Sequence, residues 1–341
     1  MAILVGIDEA GYGPVLGPLV VAAAVLDLPD GLAAEDLWPP LAAGVTRDGR
    51  SWPHRAWIAD SKLMHHGPAG LRRLEQNVLA TCPLPLPLGF EGFAKWLGIP
   101  GEHLSHGEPW HADRFPDLPL AAEAPAIAQP RAGFFMALKS AGVKSLSVLV
   151  NLAHPWRFNR LVATTDNKAA VLWSLAAELL DRAVAQFSGA VGPGSPTEQR
   201  PPAPPVRIVM DKHGGRTYYC RLVLQTWPLA SVESLLETPR QSDCRIQAGG
   251  LNMELSICEK AEGRSLPVAL ASMYAKYVRE IFMAQFNRWW SARTVELAGA
   301  ESQARPAPTA GYYADYQRWS AEMAPVVARL GLPPEQYIRC R

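Results

Sequence analysis

Residues 3–26 hold two apolar runs hinged on a pair of acids and a glycine-rich turn: ILVGIDEAGYGPVLGPLVVAAAVL. Neither run alternates polar with apolar residues, the pattern of a strand covered on both faces rather than one with a wet side. AILVGID and LGPLVVAAAVL therefore predict two buried strands, with the Gly-Tyr-Gly-Pro stretch as a wide hairpin loop. Such a pair needs layers above and below it, which directs the chain toward an α/β sandwich. The first strand ends on two adjacent carboxylates, Asp8 and Glu9, just before Gly11 and Gly13.

Composition narrows the function classes. Of 341 residues, 48% are apolar and 19% charged, the balance of a globular chain with a sizeable core. A net charge of +1 excludes a strongly basic nonspecific nucleic-acid binder but leaves room for a local basic groove. The five cysteines are odd in number and show no CxxC spacing, which argues against a disulfide framework or zinc knuckle and for a reducing compartment. Asp8 and Glu9 break the early apolar run, so a signal peptide is not expected. The run Val15–Leu26 contains Gly17 and Pro18 and is too short to cross a bilayer. A cytoplasmic, monomeric protein without membrane contact is expected.

Further along, a helix is predicted over 68–82, and residues 83–141, rich in proline with weak periodicity, form an insertion or cap. SLSVLVNL is a strand. TTDNKAAVLWSLAAELLDRAVAQF is the clearest helix, capped by Thr165 or Asp166, with Leu172, Leu175, Ala176, Leu179, Leu180 and Ala183 as its apolar stripe. The Pro/Gly-rich stretch 188–205 reads as a flexible surface loop, and VRIVMDKHGG as a strand ending on Asp211. Strand–helix–strand order implies parallel pairing. PVALASMYAKYVREIFMAQFNRWW is a helix whose buried stripe is Leu270, Met273, Tyr274, Tyr277, Val278 and Ile281. Ser272, Lys276 and Glu280 line one edge of that stripe at i,i+4 spacing. Residues 291–341 form a C-terminal part with a turn and one or two short helices, and the whole chain reads as one domain.

Two strands thus end on acids, and Glu280 and the Asp60-Lys62 pair in ADSK stand nearby in the expected layout. Strand-end carboxylates lie at the edge where α/β sheets bind ligands. Several acids together repel unless a hard divalent cation sits among them, and two such ions are the standard clamp for phosphoryl displacement. Lys62, Lys276 and Arg279 would then meet backbone phosphates. Adjacent strand residues face opposite sides, so Glu9 joins Asp8 only if the chain has begun to turn. Each piece taken alone has a plainer meaning. Asp-Glu is a solvated strand end, Asp211 a turn residue, and Glu280 the partner of Lys276. His65, His66 and His213 read as exposed polar residues, and Trp289-Trp290 as packing.

Order and context decide between these. GIDEAGYGPVLGPLVVAAAV, DSKLM, IVMD, ALASMYAKYVRE and TAGYYAD follow one another as in the type 2 ribonucleases H, and the chain resembles the ribonuclease HII/HIII superfamily. The resemblance implies an RNase H-like mixed sheet flanked by helices. It implies hydrolysis of the RNA strand of RNA–DNA hybrids with Mg²⁺ or Mn²⁺, giving 5′-phosphate and 3′-hydroxyl ends. It makes Asp8, Glu9, Asp211 and Glu280 the catalytic metal-binding acids. It assigns substrate contacts to Gly11, Tyr12, Gly13, Lys62, Ser272, Lys276 and Tyr312, with Tyr313 a competitor for the last. It covers the sheet core and the C-terminal part but not 83–141 or the proline-rich loop.

Three departures stand out. Tyr12 replaces the arginine of the usual Gly-Arg-Gly, which puts recognition of a single embedded ribonucleotide in question. Glu280 occupies a position that is normally Asp in ribonuclease HII and Glu in some relatives. With the catalytic strand starting at residue 3, no counterpart of the N-terminal substrate-binding domain of HIII enzymes is expected. The rival readings are a nuclease of this fold acting on structured DNA and a nucleic-acid-binding homologue with weak turnover.

Overall fold

The structure is a computed structural model that describes residues 2–32, 36–49, 53–105, 108–188, 204–213, 216–298 and 306–340. The expected 188–205 loop falls almost wholly outside the described residues. The two opening runs form β1 (Ala2–Ala10) and β2 (Leu19–Leu28), paired antiparallel from Ala2↔Leu28 to Ala10↔Val20. Next come the two-residue strands β3 (Val45–Thr46) and β4 (Ala56–Trp57), then the short helix α1 (Ser61–Met64) and α2 (Gly70–Ala80). Residues 83–141 hold α3 (Phe90–Trp96), α4 (Glu102–Ser105) and α5 (Ala124–Ser140). Then follow β5 (Ser145–Ala153), α6 (Pro155–Thr165), α7 (Lys168–Ser188), β6 (Val206–Asp211) and α8 (Cys220–Thr226). β7 (Ser231–Glu237), β8 (Gln241–Ala248), β9 (Leu251–Cys258), α9 (Leu266–Ala298) and α10 (Tyr313–Leu330) complete the order.

Seven strands form one mixed sheet in the order β5-β2-β1-β6-β9-β8-β7. β5, β2 and β1 are antiparallel, β1, β6 and β9 parallel, and β9, β8 and β7 antiparallel again. The period of two in β1 and β2 divides the core. Leu4, Val20, Ala22, Ala24 and Leu26 pack with α2, α5 and α9, whereas Ile3, Val5, Ile7, Val21, Ala23 and Val25 pack with α7 and α8. α9 lies so close to β1 that a Cβ at Gly6 would collide with the backbone of Pro267 and Val268. All six stripe residues of α9 and all six of α7 are buried. Trp289 and Trp290 are buried as well, in a third cluster with Trp110, Phe286 and Trp319.

The structure departs from the sequence reading at several points. The helix read from TTDNKAAVLWSLAAELLDRAVAQF is α7, but a further helix without counterpart in the sequence reading, α6, precedes it and ends where Asp166 adopts φ 48° as its C-cap. The cap of α7 is Asn167, whose Oδ1 accepts from the N–H of Ala169 (2.8 Å) and Ala170 (3.3 Å), rather than Thr165 or Asp166. The C-terminal part carries one 18-residue helix, α10, where one or two short ones are expected. The strands β7, β8 and β9 have no counterpart in the sequence reading. Cys220 and Cys244 form a disulfide between α8 and β8, against the expectation of reduced thiols, while Cys82, Cys258 and Cys340 are free.

The 83–141 segment packs into the main core, with Phe90, Phe93 and Phe134 in the same cluster as β2 and α9. Its anchor is Glu75 of α2, buried. The carboxylate accepts the N–H groups of Ala121 and Ala122 (both 2.6 Å) and the Tyr277 hydroxyl (2.6 Å). Among the described residues no helix is long and apolar enough to cross a membrane.

Candidate active site

The register between β1 and β6 sets the site. Ile7 pairs with Met210, so the next residues on the two parallel strands, Asp8 and Asp211, emerge side by side at the carboxyl edge. β1 stays regular through Ala10, with Glu9 opposite Val21, and the chain turns only at Gly11, whose φ is +88°. The early turn expected to bring Glu9 beside Asp8 is therefore absent, yet the Glu9 carboxyl still shares a hydrogen bond with that of Asp8. Asp8 also shares a hydrogen bond with Ser272 of α9, and the charge of Glu9 acts on Tyr12 and Tyr219. Asp211 acts electrostatically on both acids. The three carboxylates thus gather at the ends of β1 and β6.

Burial and repulsion dominate this corner. Burial first, then the charge of Glu9, holds the Asp8 carboxyl well above its usual range, with Ser272 pulling the other way. Glu9 is pushed up to about 7 by burial and by Asp211, against the hydrogen bond with Asp8 and the weaker pull of Lys62. Its Oε2 is buried with no hydrogen-bond partner. Asp211 keeps one oxygen occupied, Oδ1 accepting the N–H of Ala261 at 3.0 Å. This donor set is hard, anionic and under-neutralised, which fits Mg²⁺ or Mn²⁺.

Glu280 stands apart. Its Oε1 accepts from Lys276 Nζ at 2.6 Å, and its Oε2 lies 3.6 Å from His65 Nε2. Burial pushes this carboxyl up, but Lys276 and His65 outweigh it and the group lies below its usual range. The structure thus brings Asp8, Glu9 and Asp211 together and leaves Glu280 in an ion pair one edge of α9 further on. Lys276 is committed to that pair. His65 is half-buried against Glu280 and His213 is buried, so neither is the exposed polar residue its context suggests.

DSK works as a local device. Asp60 caps α1 by accepting the N–H of Lys62 at 2.9 Å, which presents Lys62 as an exposed cation to the acids. Burial lowers the Lys62 pKa, but Asp60, Asp8, Glu262 and Asp211 together raise it. The next residue, Ser61, is buried, and its hydroxyl accepts from Ser272 Oγ at 3.0 Å. Ser272 is buried too and meets Asp8 rather than the surface. Glu262 belongs to this corner and has no counterpart in the sequence reading. It sits on the turn Ala261–Gly263 that Asp211 caps, and burial followed by Asp211 and Asp60 raises its carboxyl. The signal for it lies in the structure alone, because β9 ends beside β6.

The Gly-Tyr-Gly turn is fastened by buried arginines. Arg279 donates to the carbonyls of Leu16 (3.0 Å) and Ala310 (3.1 Å), so it braces loops where the sequence reading gives it a phosphate. Arg339 donates to the carbonyls of Gly11 (2.6 Å) and Pro14 and lies 4.9 Å from the Phe158 ring. Burial pushes Arg339 down to about 9, and the neighbouring Arg279 charge adds to this. Tyr12 is half-buried against the α7-side core and Gly13 is exposed. Gly311 accepts from the N–H of Val15 at 2.8 Å, which brings the exposed Tyr312, at the N-cap of α10, to the same end of the sheet.

No protein-family profile and no curated protein matches this sequence. Solved structures do match over nearly its full length. One is RNase HII of Archaeoglobus fulgidus, solved with PCNA, at 16% identity and TM-score 0.41, covering 99% of this chain and 94% of that one. A second is ribonuclease H2 of Pyrococcus horikoshii OT3, at 15% identity and TM-score 0.40, covering 98% and 92%. A third is Bst-RNase HIII in complex with Mn²⁺, at 16% identity and TM-score 0.39, covering 99% of this chain and 66% of that one. The structural matches are type 2 ribonucleases H. What carries the functional reading below is the arrangement of the acids.

Proposed function

We propose that this chain is a metal-dependent endoribonuclease that hydrolyses the RNA strand of RNA–DNA hybrids, leaving 5′-phosphate and 3′-hydroxyl ends. The observation that carries this reading is the convergence of Asp8, Glu9 and Asp211 on one sheet edge with an exposed Lys62 beside them. The ordered motifs that resemble the type 2 ribonucleases H supply the substrate class.

Asp8, Glu9, Asp211 and Glu280 would hold Mg²⁺ or Mn²⁺. Bound ions there would activate water and neutralise charge on the phosphate and the leaving oxygen. The chain's own groups do the rest. Ser272 and Ser61 fix the orientation of Asp8 from below. The N–H of Ala261 fixes Asp211. Lys62 is free to swing toward a phosphate because its helix is only four residues long and capped by Asp60. The turn Gly11-Tyr12-Gly13, half-buried at Gly11 and Tyr12 and exposed at Gly13, offers the ribose a close approach, and Tyr312 offers a ring at the same end. Glu280 joins the acids when Lys276 exchanges its carboxylate for a phosphate.

The test is cleavage of labelled RNA–DNA hybrid, RNA, DNA, structured DNA and duplex DNA with one ribonucleotide, each with Mg²⁺ or Mn²⁺. Hybrid-specific incision with 3′-hydroxyl products is expected. Preference for structured DNA, or binding without turnover, would replace this reading with one of its rivals.

A further inference from the structure

The segment between α2 and β5, together with the residue that follows β5, contains a second cluster that the nuclease reading leaves unused. Glu108, His111 and His154 each offer a ligand atom, and these atoms lie within 4.8 Å of one another. Glu108 and His111 belong to the single turn Pro109–His111 and its N-cap, and His154 follows the last residue of β5. Exposure is only 3%, 6% and 3% respectively.

We propose that Glu108, His111 and His154 form a binding site for a zinc-class divalent ion that fastens the 108–111 turn to the end of β5. Two imidazoles and one carboxylate are a donor set for borderline transition ions, whereas Mg²⁺ takes oxygen. Both carboxylate oxygens of Glu108 and both ring nitrogens of His111 are buried without a hydrogen-bond partner. They do not satisfy each other, because His111 Nδ1 and Glu108 Oε2 are 3.5 Å apart. A buried carboxylate and imidazole with nothing to bind are costly to fold, and an ion between them removes that cost.

The outer contacts are those of a metal site. His154 Nε2 donates to the His103 carbonyl at 2.9 Å, which fixes the tautomer and leaves Nδ1 with its lone pair. The two imidazole centroids lie 4.5 Å apart, and Phe282 flanks both, at 5.4 Å from His111 and 5.1 Å from His154. Phe115 closes the His111 side at 5.7 Å. Gln285 of α9 holds the loop from outside by donating to the carbonyls of Trp110 (2.6 Å) and Asp113 (3.1 Å). Phe282 lies two residues beyond Glu280, so an ion here steadies the turn of α9 that carries the fourth acid.

The full chain, purified without chelator, should hold one zinc per molecule by elemental analysis. That zinc should survive in an Asp8→Asn/Asp211→Asn background and disappear in His111→Asn and Glu108→Gln. After stripping with EDTA, Zn²⁺ should raise the melting temperature by roughly 5 °C or more. Co²⁺ should give visible d–d absorption, and His111→Asn should abolish both responses. Glu108→Gln keeps the shape of the side chain, so it decides the matter if His111→Asn fails to fold. A stripped wild type whose melting temperature and spectrum ignore Zn²⁺ and Co²⁺ would overturn the proposal. So would zinc that leaves with Asp8→Asn/Asp211→Asn rather than with His111→Asn.

Discussion

A carboxylate buried beside two others destabilises the fold that carries it, and Asp8 and Glu9 are both in that position. For Glu9 the folded value of about 7 lies above the usual 4.5, so the folded state holds the proton over that window. Metal-free stability from this group is therefore full below the usual carboxylate range and is lost as pH rises toward 7. Asp8→Asn, Glu9→Gln and Asp211→Asn should each abolish cleavage. With chelator present at pH 8, Asp8→Asn and Glu9→Gln should melt at or a few degrees above wild type. Scanning calorimetry checks this, and a large drop in melting temperature would mean the acids are structural. Glu280 argues from the opposite sign, because Lys276 and His65 hold it charged. A carboxylate that must leave an ion pair suits a tolerant ion better than Mg²⁺, which demands near-ideal geometry. Mn²⁺ should support turnover at least as well as Mg²⁺ in steady-state assays. Tyr12 brings one hydroxyl where an arginine would bring a charged fork. Hybrids with several ribonucleotides should be cut faster than duplex DNA with one, and Tyr12→Arg should narrow the gap. Equal rates, unmoved by Tyr12→Arg, would assign the missing charge to Arg216, which already acts on the Tyr12 hydroxyl.

At the scale of elements, the contact between β1 and α9 is the critical one. Adding a methyl at Gly6 would drive Pro267 and Val268 off the strand that carries the acids. Gly6→Ala should cost about 2–3 kcal/mol in urea denaturation and remove most activity. This pairing was half legible in the sequence. The apolar runs and the stripe of α9 point to the two elements, but no pattern says that a glycine is where they touch. The strands β8 and β9 were legible and are absent from the reading: buried and open residues alternate along both. Gly249 and Gly250, at φ +56° and +80°, make the two-residue turn that joins such strands. The break between α6 and α7 falls where the sequence already suggests a cap, at Thr165–Asp166, whereas α6 itself has no counterpart in the sequence reading. Among the site residues, Asp8, Glu9, Asp211 and Lys62 announce themselves by lying at element ends. Glu262 and Arg339 do not, since only the tertiary fold brings them to β1.

On the scale of the whole molecule, the turn after β1 is held by residues from remote parts of the chain. Arg279 ties it to Ala310, and Arg339 closes on Gly11 and Pro14. Arg339→Met keeps much of the bulk and removes the donors. It should lower hybrid cleavage roughly 10- to 100-fold, as misplacement of a substrate-positioning turn does. Metal affinity, read by calorimetry, should stay near wild type, because Asp8, Glu9 and Asp211 are set by the sheet. A variant with full activity would show that the turn holds its own shape. The clasp also orders events in time. Gly11 and Arg339 are 328 positions apart, so at roughly 5–20 residues per second the ribosome makes one tens of seconds after the other. Throughout that interval, in which Asp211 and Glu280 are themselves still to be made for much of the time, the turn after β1 lacks its clasp. The clasp is therefore among the last long-range contacts that synthesis of the described residues permits.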